Sequence, residues 1–121
     1  MNMTINTKQM GDVTIVDISG RIVLGEESAS LRGLVHDLLS REHKKILFNL
    51  GKVDYIDSSG LGHLIGAFTS VRKENGELKL LNLKKNVHDL MQITKLYTIF
   101  EIIDDEKAAI RSFDKSVAVS R

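Results

Sequence analysis

The apolar residues of this chain change period from one stretch to the next, and those changes mark out its elements. Ile46-Leu47-Phe48-Asn49-Leu50 is apolar at nearly every position, the pattern of a strand covered on both faces. Leu61, Leu64, Ile65, Phe68 and Val71 follow at the i, i+3, i+4 spacing of a helix with one buried side. Upstream, Thr4 to Met10 and Val13 to Ile18 read as strands joined by Gly11-Asp12, a two-residue hairpin link. Gly20 and Gly25 bracket a loop, and Leu31, Leu34, Val35 and Leu38 give a first helix ending near Ser40. Downstream, Asn75-Gly76 signals a helix end and turn, and Leu78 to Leu83 a strand. Asn86 is placed to cap a helix in which Val87, Leu90 and Met91 face inward. Ile99 to Ile103 reads as the last strand, and Asp104-Asp105-Glu106 opens a last helix with Ala109, Ile110 and Phe113 on its apolar side. The pattern predicts an α/β fold: a mixed β-sheet begun by a hairpin, then alternating strands and helices, with about four helices packed over it. It predicts a single domain over residues 1–121, with a core of about 4–113 and a frayed polar tail at 114–121.

Composition narrows the chemistry. With no cysteine, disulfide frameworks, thiol nucleophiles and cysteine metal sites are excluded. His36, His43, His63 and His88 stand singly, with no i, i+4 pair, so no metal is expected. The formal charge of +1 comes from acids and bases spread evenly, and six aromatics form no stacking platform, so nucleic acid is not an expected partner. The first residues lack the features of a signal peptide, and no apolar run nears the ~20 residues that span a bilayer. A cytoplasmic location without membrane association is the expectation.

Between the buried strand and the amphipathic helix lies Asp57-Ser58-Ser59-Gly60-Leu61-Gly62. The serines therefore fall at a helix N-terminus, whose first N–H groups lack intrahelical acceptors and favour negative charge. A serine there carries a phosphate without unfolding the helix. Taking Leu61 as the centre of the buried face, a rotation of about 100° per residue sets Ser58 toward the core edge and Ser59 on the opposite side. Gly62, His63, Gly66 and Ser70 share that side with Ser59. A solvated helix face would carry Lys and Glu; a stripe of small residues admits a close partner. Asp57 is expected to cap the helix, since a carboxylate beside a phosphoserine repels it. For Gly60, a tight turn and close approach by a partner are both open. Glu26 and Glu27, after Gly25, either steady the first helix N-terminus or meet basic residues of a partner.

At these residues the chain resembles the STAS domain family, in particular its stand-alone anti-sigma factor antagonists. The matching string runs from Val53 to Gly62, supported by Gly20-Arg21, Lys44 to Leu50, Gly76 to Leu80 and Val87 to Leu96, and the likeness spans about Thr4 to Phe113. In that family the second serine of the string is phosphorylated by the anti-sigma factor, itself a protein kinase; that residue corresponds to Ser59. The resemblance implies a switch: the unmodified protein binds a kinase-type anti-sigma factor, phosphorylation of Ser59 releases it, and a PP2C-like phosphatase resets it. It implies contacts through Gly25, Glu26, Glu27 and Ser28 and through Asp57, Ser58, Ser59, Gly60, Gly62, His63 and Gly66, with no cofactor of the chain's own. The loop Arg21-Ile22-Val23-Leu24-Gly25-Glu26-Glu27-Ser28 departs from the family, being a residue longer and lacking its familiar aspartate. The alternatives are a STAS subunit of another assembly, such as a stressosome or a lipid transporter, or a nucleotide-binding module.

An enzymatic reading is weak. A nucleophile elbow needs glycine two residues before the serine, where Asp57 stands, and no carboxylate is placed to orient His63. Gly60, Gly62 and Gly66 miss the dinucleotide spacing by one residue, and no Gly-Lys-Ser/Thr occurs.

Overall fold

The computed structural model describes the backbone of residues 3–119 and the side chains of residues 3–113. Met3–Met10 (β1) and Val13–Ile22 (β2) form the hairpin, pairing antiparallel from Met10↔Val13 to Met3↔Gly20. Glu26–Ser40 (α1), Lys45–Ile56 (β3), Ser58–Lys73 (α2), Glu77–Leu81 (β4), Lys85–Ile93 (α3), Ile102–Ile103 (β5) and Glu106–Val119 (α4) follow. The five strands lie in sequence order, parallel from β2 to β5. This is the mixed sheet with four α-helices that the pattern predicts.

Strand order decides where the helices go. The sheet grows in one direction from β2 to β5, so right-handed crossovers put α1, α2 and α3 on the same face. There Val16, Ile18, Ile46, Phe48, Leu50, Leu78 and Leu80 meet Leu31 and Val35 of α1, Leu64 and Val71 of α2, and Val87 and Met91 of α3. Helix α4 follows the last strand and is free of that constraint. It covers the other face, where Ala109 and Phe113 pack on Val13, Ile15, Leu47 and Leu81. β3 is thus buried on both sides, which its unbroken apolar run requires.

Several boundaries differ from the sequence reading. Gly20 does not open a loop: β2 runs on to Ile22, and β3 runs past Gly51 to Ile56. Two register shifts, between Asp17 and Ser19 and between Gly20 and Arg21, absorb extra β3 residues as bulges, which glycine in a strand often marks. Asn86 is not a cap; α3 starts at Lys85, and Asn86 Nδ2 donates to the Asp54 carbonyl at 2.6 Å, tying α3 to the end of β3. The run Ile99 to Ile103 is mostly not a strand. A 3₁₀ turn at Leu96–Thr98 precedes it, and Phe100 turns into the core edge-on to Phe68, leaving two residues to pair with β4. An apolar run this short does not distinguish a wedge from a strand. Helix α4, begun where Asp105 accepts from Ala108 N–H, carries on through Val119 with no Gly or Pro to stop it. The tail expected from Asp114 is thus helical that far, and residues 120–121 lie outside the described residues.

Helix α2 sits deeper than its aliphatic residues indicate. Its buried positions are Gly60, Leu64, Ala67 and Val71, while Leu61, Ile65 and Phe68 are half-buried. The helix is rolled toward Gly60 and Ala67, and at Gly60 the approach leaves no room for a side chain: a Cβ there would lie 1.9 Å from the Ile22 carbonyl oxygen. At Gly62 a Cβ would meet nothing within 4 Å. Gly60→Ala is expected to destabilise the fold by roughly 3 kcal/mol, whereas Gly62→Ala should be neutral or gain up to about 1 kcal/mol. Urea denaturation checks both, and equal effects would show that α2 is not seated on β2 as described.

Candidate functional site

Because β2 and β3 are parallel neighbours, the loops that leave their C-terminal ends, 23–25 and Asp57, emerge side by side. They are stitched together. Asp57 N–H donates to the Ile22 carbonyl at 3.2 Å. Its side chain caps α2, with Oδ1 accepting from Gly60 N–H at 2.8 Å. Its other oxygen, Oδ2, accepts from Leu24 N–H at 3.1 Å. The capping role read from sequence is present, and the bond across to the neighbouring loop is an addition that local sequence pattern does not carry.

Electrostatics follow from those donors. The Asp57 carboxyl is held below its ordinary value of 3.8, first by the Gly60 N–H and next by that of Leu24, against a smaller opposing effect of desolvation. The Ser59 N–H and the charge of His63 add to the lowering.

The rolled helix revises the exposure of the serines. Ser58, expected at the core edge, is exposed; Ser59, expected fully outward, is half-buried, as are His63 and Gly66. Helical phase puts Ser59, His63, Gly66 and Ser70 on one flank of α2, and Ser70 lines a cavity of about 270 Å³ with His36 and Leu39 of α1. Of this stripe, Gly62 and Ser70 are exposed, while Ser59, His63 and Gly66 are half-buried. At Gly66 a Cβ would meet nothing within 4 Å. Among the described residues, no hydrogen bond engages the Ser59 hydroxyl.

Two expected contact residues are inside the protein. Gly60 is buried against Ile22, where its lack of a side chain serves the seating of α2 on β2. Ser28 is 1% exposed, and its hydroxyl donates to the Val23 and Gly25 carbonyls, so it braces the loop from within. Gly25, Glu26 and Glu27 are exposed as expected, as is Gly62. Gly25 holds φ +148°, a conformation that other residues rarely adopt. Three residues at this end were missed. Leu24 is 77% exposed, and Arg21 lies over the ring of half-exposed Tyr55, 5.1 Å from its centre. Arg21 and Leu24 line a recess of about 410 Å³ with Glu26 and Glu27. A lone exposed leucine in a loop is unremarkable in sequence, and nothing local marks it.

The protein is thus a five-stranded sheet with three crossover helices on one face, and it sets a capped serine turn beside an exposed loop. The chain belongs to the STAS domain family, whose profile matches residues 4–109. It is 34% identical to the anti-sigma-B factor antagonist of Bacillus subtilis, over 84% of this chain and 92% of that one. It is 36% identical to that of Listeria monocytogenes, over 84% and 90%. The fold superposes on SpoIIAA of Bacillus in its phosphorylated form with a TM-score of 0.69 and 17% identity, covering 90% of this chain and 99% of that one. The unphosphorylated form gives 0.68 and 17%, covering 90% and 96%. Among the described residues, no helix is long and apolar enough to cross a membrane.

Because the folded-state pKa of Asp57 lies below its unfolded value, its contribution to stability is complete above the unfolded value. It is lost as pH falls through the lower folded one. The melting-temperature gap between the wild type and Asp57→Ala is thus expected to hold steady above about pH 5 and to narrow on acidification. A gap that does not change down to about pH 2 would show that the cap does not depend on the carboxylate's charge.

Proposed function

We propose that this protein is an anti-sigma factor antagonist switched by phosphorylation of Ser59. Unmodified, it binds a kinase-type anti-sigma factor through the end that carries Leu24 to Glu27, the serine turn and the exposed flank of α2, and a sigma factor is freed. The kinase supplies nucleotide and magnesium and transfers phosphate to the Ser59 hydroxyl; a PP2C-like phosphatase returns the hydroxyl. The chain supplies no catalytic group beyond that acceptor, so it acts as binder and substrate in the cytoplasm, not as an enzyme.

The observation that carries this reading is the Ser59 hydroxyl at a capped helix N-terminus, without a hydrogen-bond partner among the described residues, beside an exposed loop held in place. The relatives named for antagonism of an anti-sigma factor support it. The near-equal likeness to the two forms of SpoIIAA fits a switch that keeps the fold. Magnitudes agree. A phosphoserine adds about −1.5 to −2 charges, and a helix N-terminus favours negative charge by roughly 0.3–1 kcal/mol. A thousandfold loss of affinity requires about 4 kcal/mol. That is too much for a change in the fold alone and is supplied by desolvation and clash where a dianion must enter an interface shaped for a hydroxyl.

The test is co-expression with the kinase-type anti-sigma factors of the same genome, followed by peptide mass spectrometry. One added phosphate is expected on Ser59, retained in Ser58→Ala and lost in Ser59→Ala. Ser59→Ala should bind the kinase as the wild type does, and Ser59→Asp more weakly, though less so than phosphoserine. Phosphate on Ser58, or wild-type affinity in Ser59→Asp, would contradict the proposal.

A further inference from the structure

The loop after β2 is more tightly held than its exposure indicates. From within, the Ser28 hydroxyl donates to the Val23 and Gly25 carbonyls. At its hinge, Gly25 takes a backbone conformation closed to most residues. From the side, Leu24 N–H is held by Asp57 Oδ2. The Leu24 side chain is 77% exposed even so. Beside it, Glu26 and Glu27 are exposed, and among the described residues neither forms an ion pair.

Capping alone does not explain an aspartate at position 57. A serine or asparagine caps a helix about as well, but only a carboxylate offers acceptor oxygens for two separate donors without bringing a donor of its own. Here one oxygen serves α2 and the other serves the Leu24 loop.

We propose that Asp57 is a positioning residue that joins the Leu24 loop and the serine turn into one rigid epitope, in which Leu24 is the side chain that selects the partner. The inference rests on the function proposed above and adds the chemistry of the face that is recognised. The kinase-type anti-sigma factor that fits presents an apolar socket to Leu24, with basic residues at its rim for Glu26 and Glu27. Recognition and modification are then linked, because the loop that is read and the turn that carries the acceptor share one carboxylate.

Asp57→Asn separates the two roles. The amide oxygen still caps Gly60, while the amide nitrogen cannot accept from Leu24. In ¹⁵N-labelled wild-type protein, the Leu24 and Gly60 amide resonances should titrate together, with one midpoint below 3.8. In Asp57→Asn neither should titrate, and Leu24 N–H exchange should quicken at least tenfold while that of Gly60 is kept. With the kinase-type anti-sigma factor that the wild type binds, Leu24→Ala should weaken binding at least tenfold in the wild type but less than twofold in Asp57→Asn. Independent titration of the two amides, unchanged Leu24 exchange, or additive effects of the two substitutions would overturn the inference while leaving Ser59 phosphorylation in place. Conversely, the amide results together with non-additive binding, and no phosphate on Ser59, would keep the epitope and refute the switch.

Discussion

The functional end of this protein is organised around one backbone atom, the carbonyl oxygen of Ile22. It ends β2, accepts the N–H of Asp57, and leaves room at Gly60 for no more than a hydrogen. Those relations fix the distance from strand to helix and the angle at which α2 enters. The placement of the serine turn against the neighbouring loop follows from them. An interior packed to crystal-like density responds to a single misplaced methyl, and here the tightest contact in α2 lies one residue from the proposed acceptor.

That rigidity suits a switch read by another protein. A phosphate placed on a flexible loop would be absorbed by movement of the loop, and the partner would sense little of it. On a helix whose first turn is tied to a strand end, the added charge has nowhere to relax. The sheet contributes by separation of duties: three helices on one face form most of the core, and α4 seals the other, far from the serine turn.

The fold was legible because its strongest signals are periodic. The doubly buried run of β3 and the heptad-like spacing of α1 and α2 survive any local ambiguity. What failed was wherever a side chain did work at a distance. Asn86 reads locally as a cap but is bonded to a strand thirty-two positions away. Phe100 reads as strand but wedges against Phe68. The phase of α2 was set on its large residues, whereas the helix buries Gly60 and Ala67 along with Leu64 and Val71, and that roll leaves Ser58 exposed and Ser59 half-buried. The serine turn and its aspartate were visible as a motif. Leu24 was not, since its importance comes from the bond that holds its backbone and not from any feature of its own.

The empty space around some glycines and the crowding around others divide this small surface into two kinds of ground. At Gly60 a variant is eliminated by sterics before any partner is consulted. At Gly62 and Gly66 a side chain meets open space, and Leu24 is held by a backbone bond that does not depend on which side chain it carries. A lineage can thus rewrite whom the protein recognises, one exposed residue at a time, without disturbing the turn that carries the signal. After gene duplication, copies of such a domain would drift apart in their loyalties while keeping the same trigger, which lets one cell run several of these circuits side by side without cross-talk.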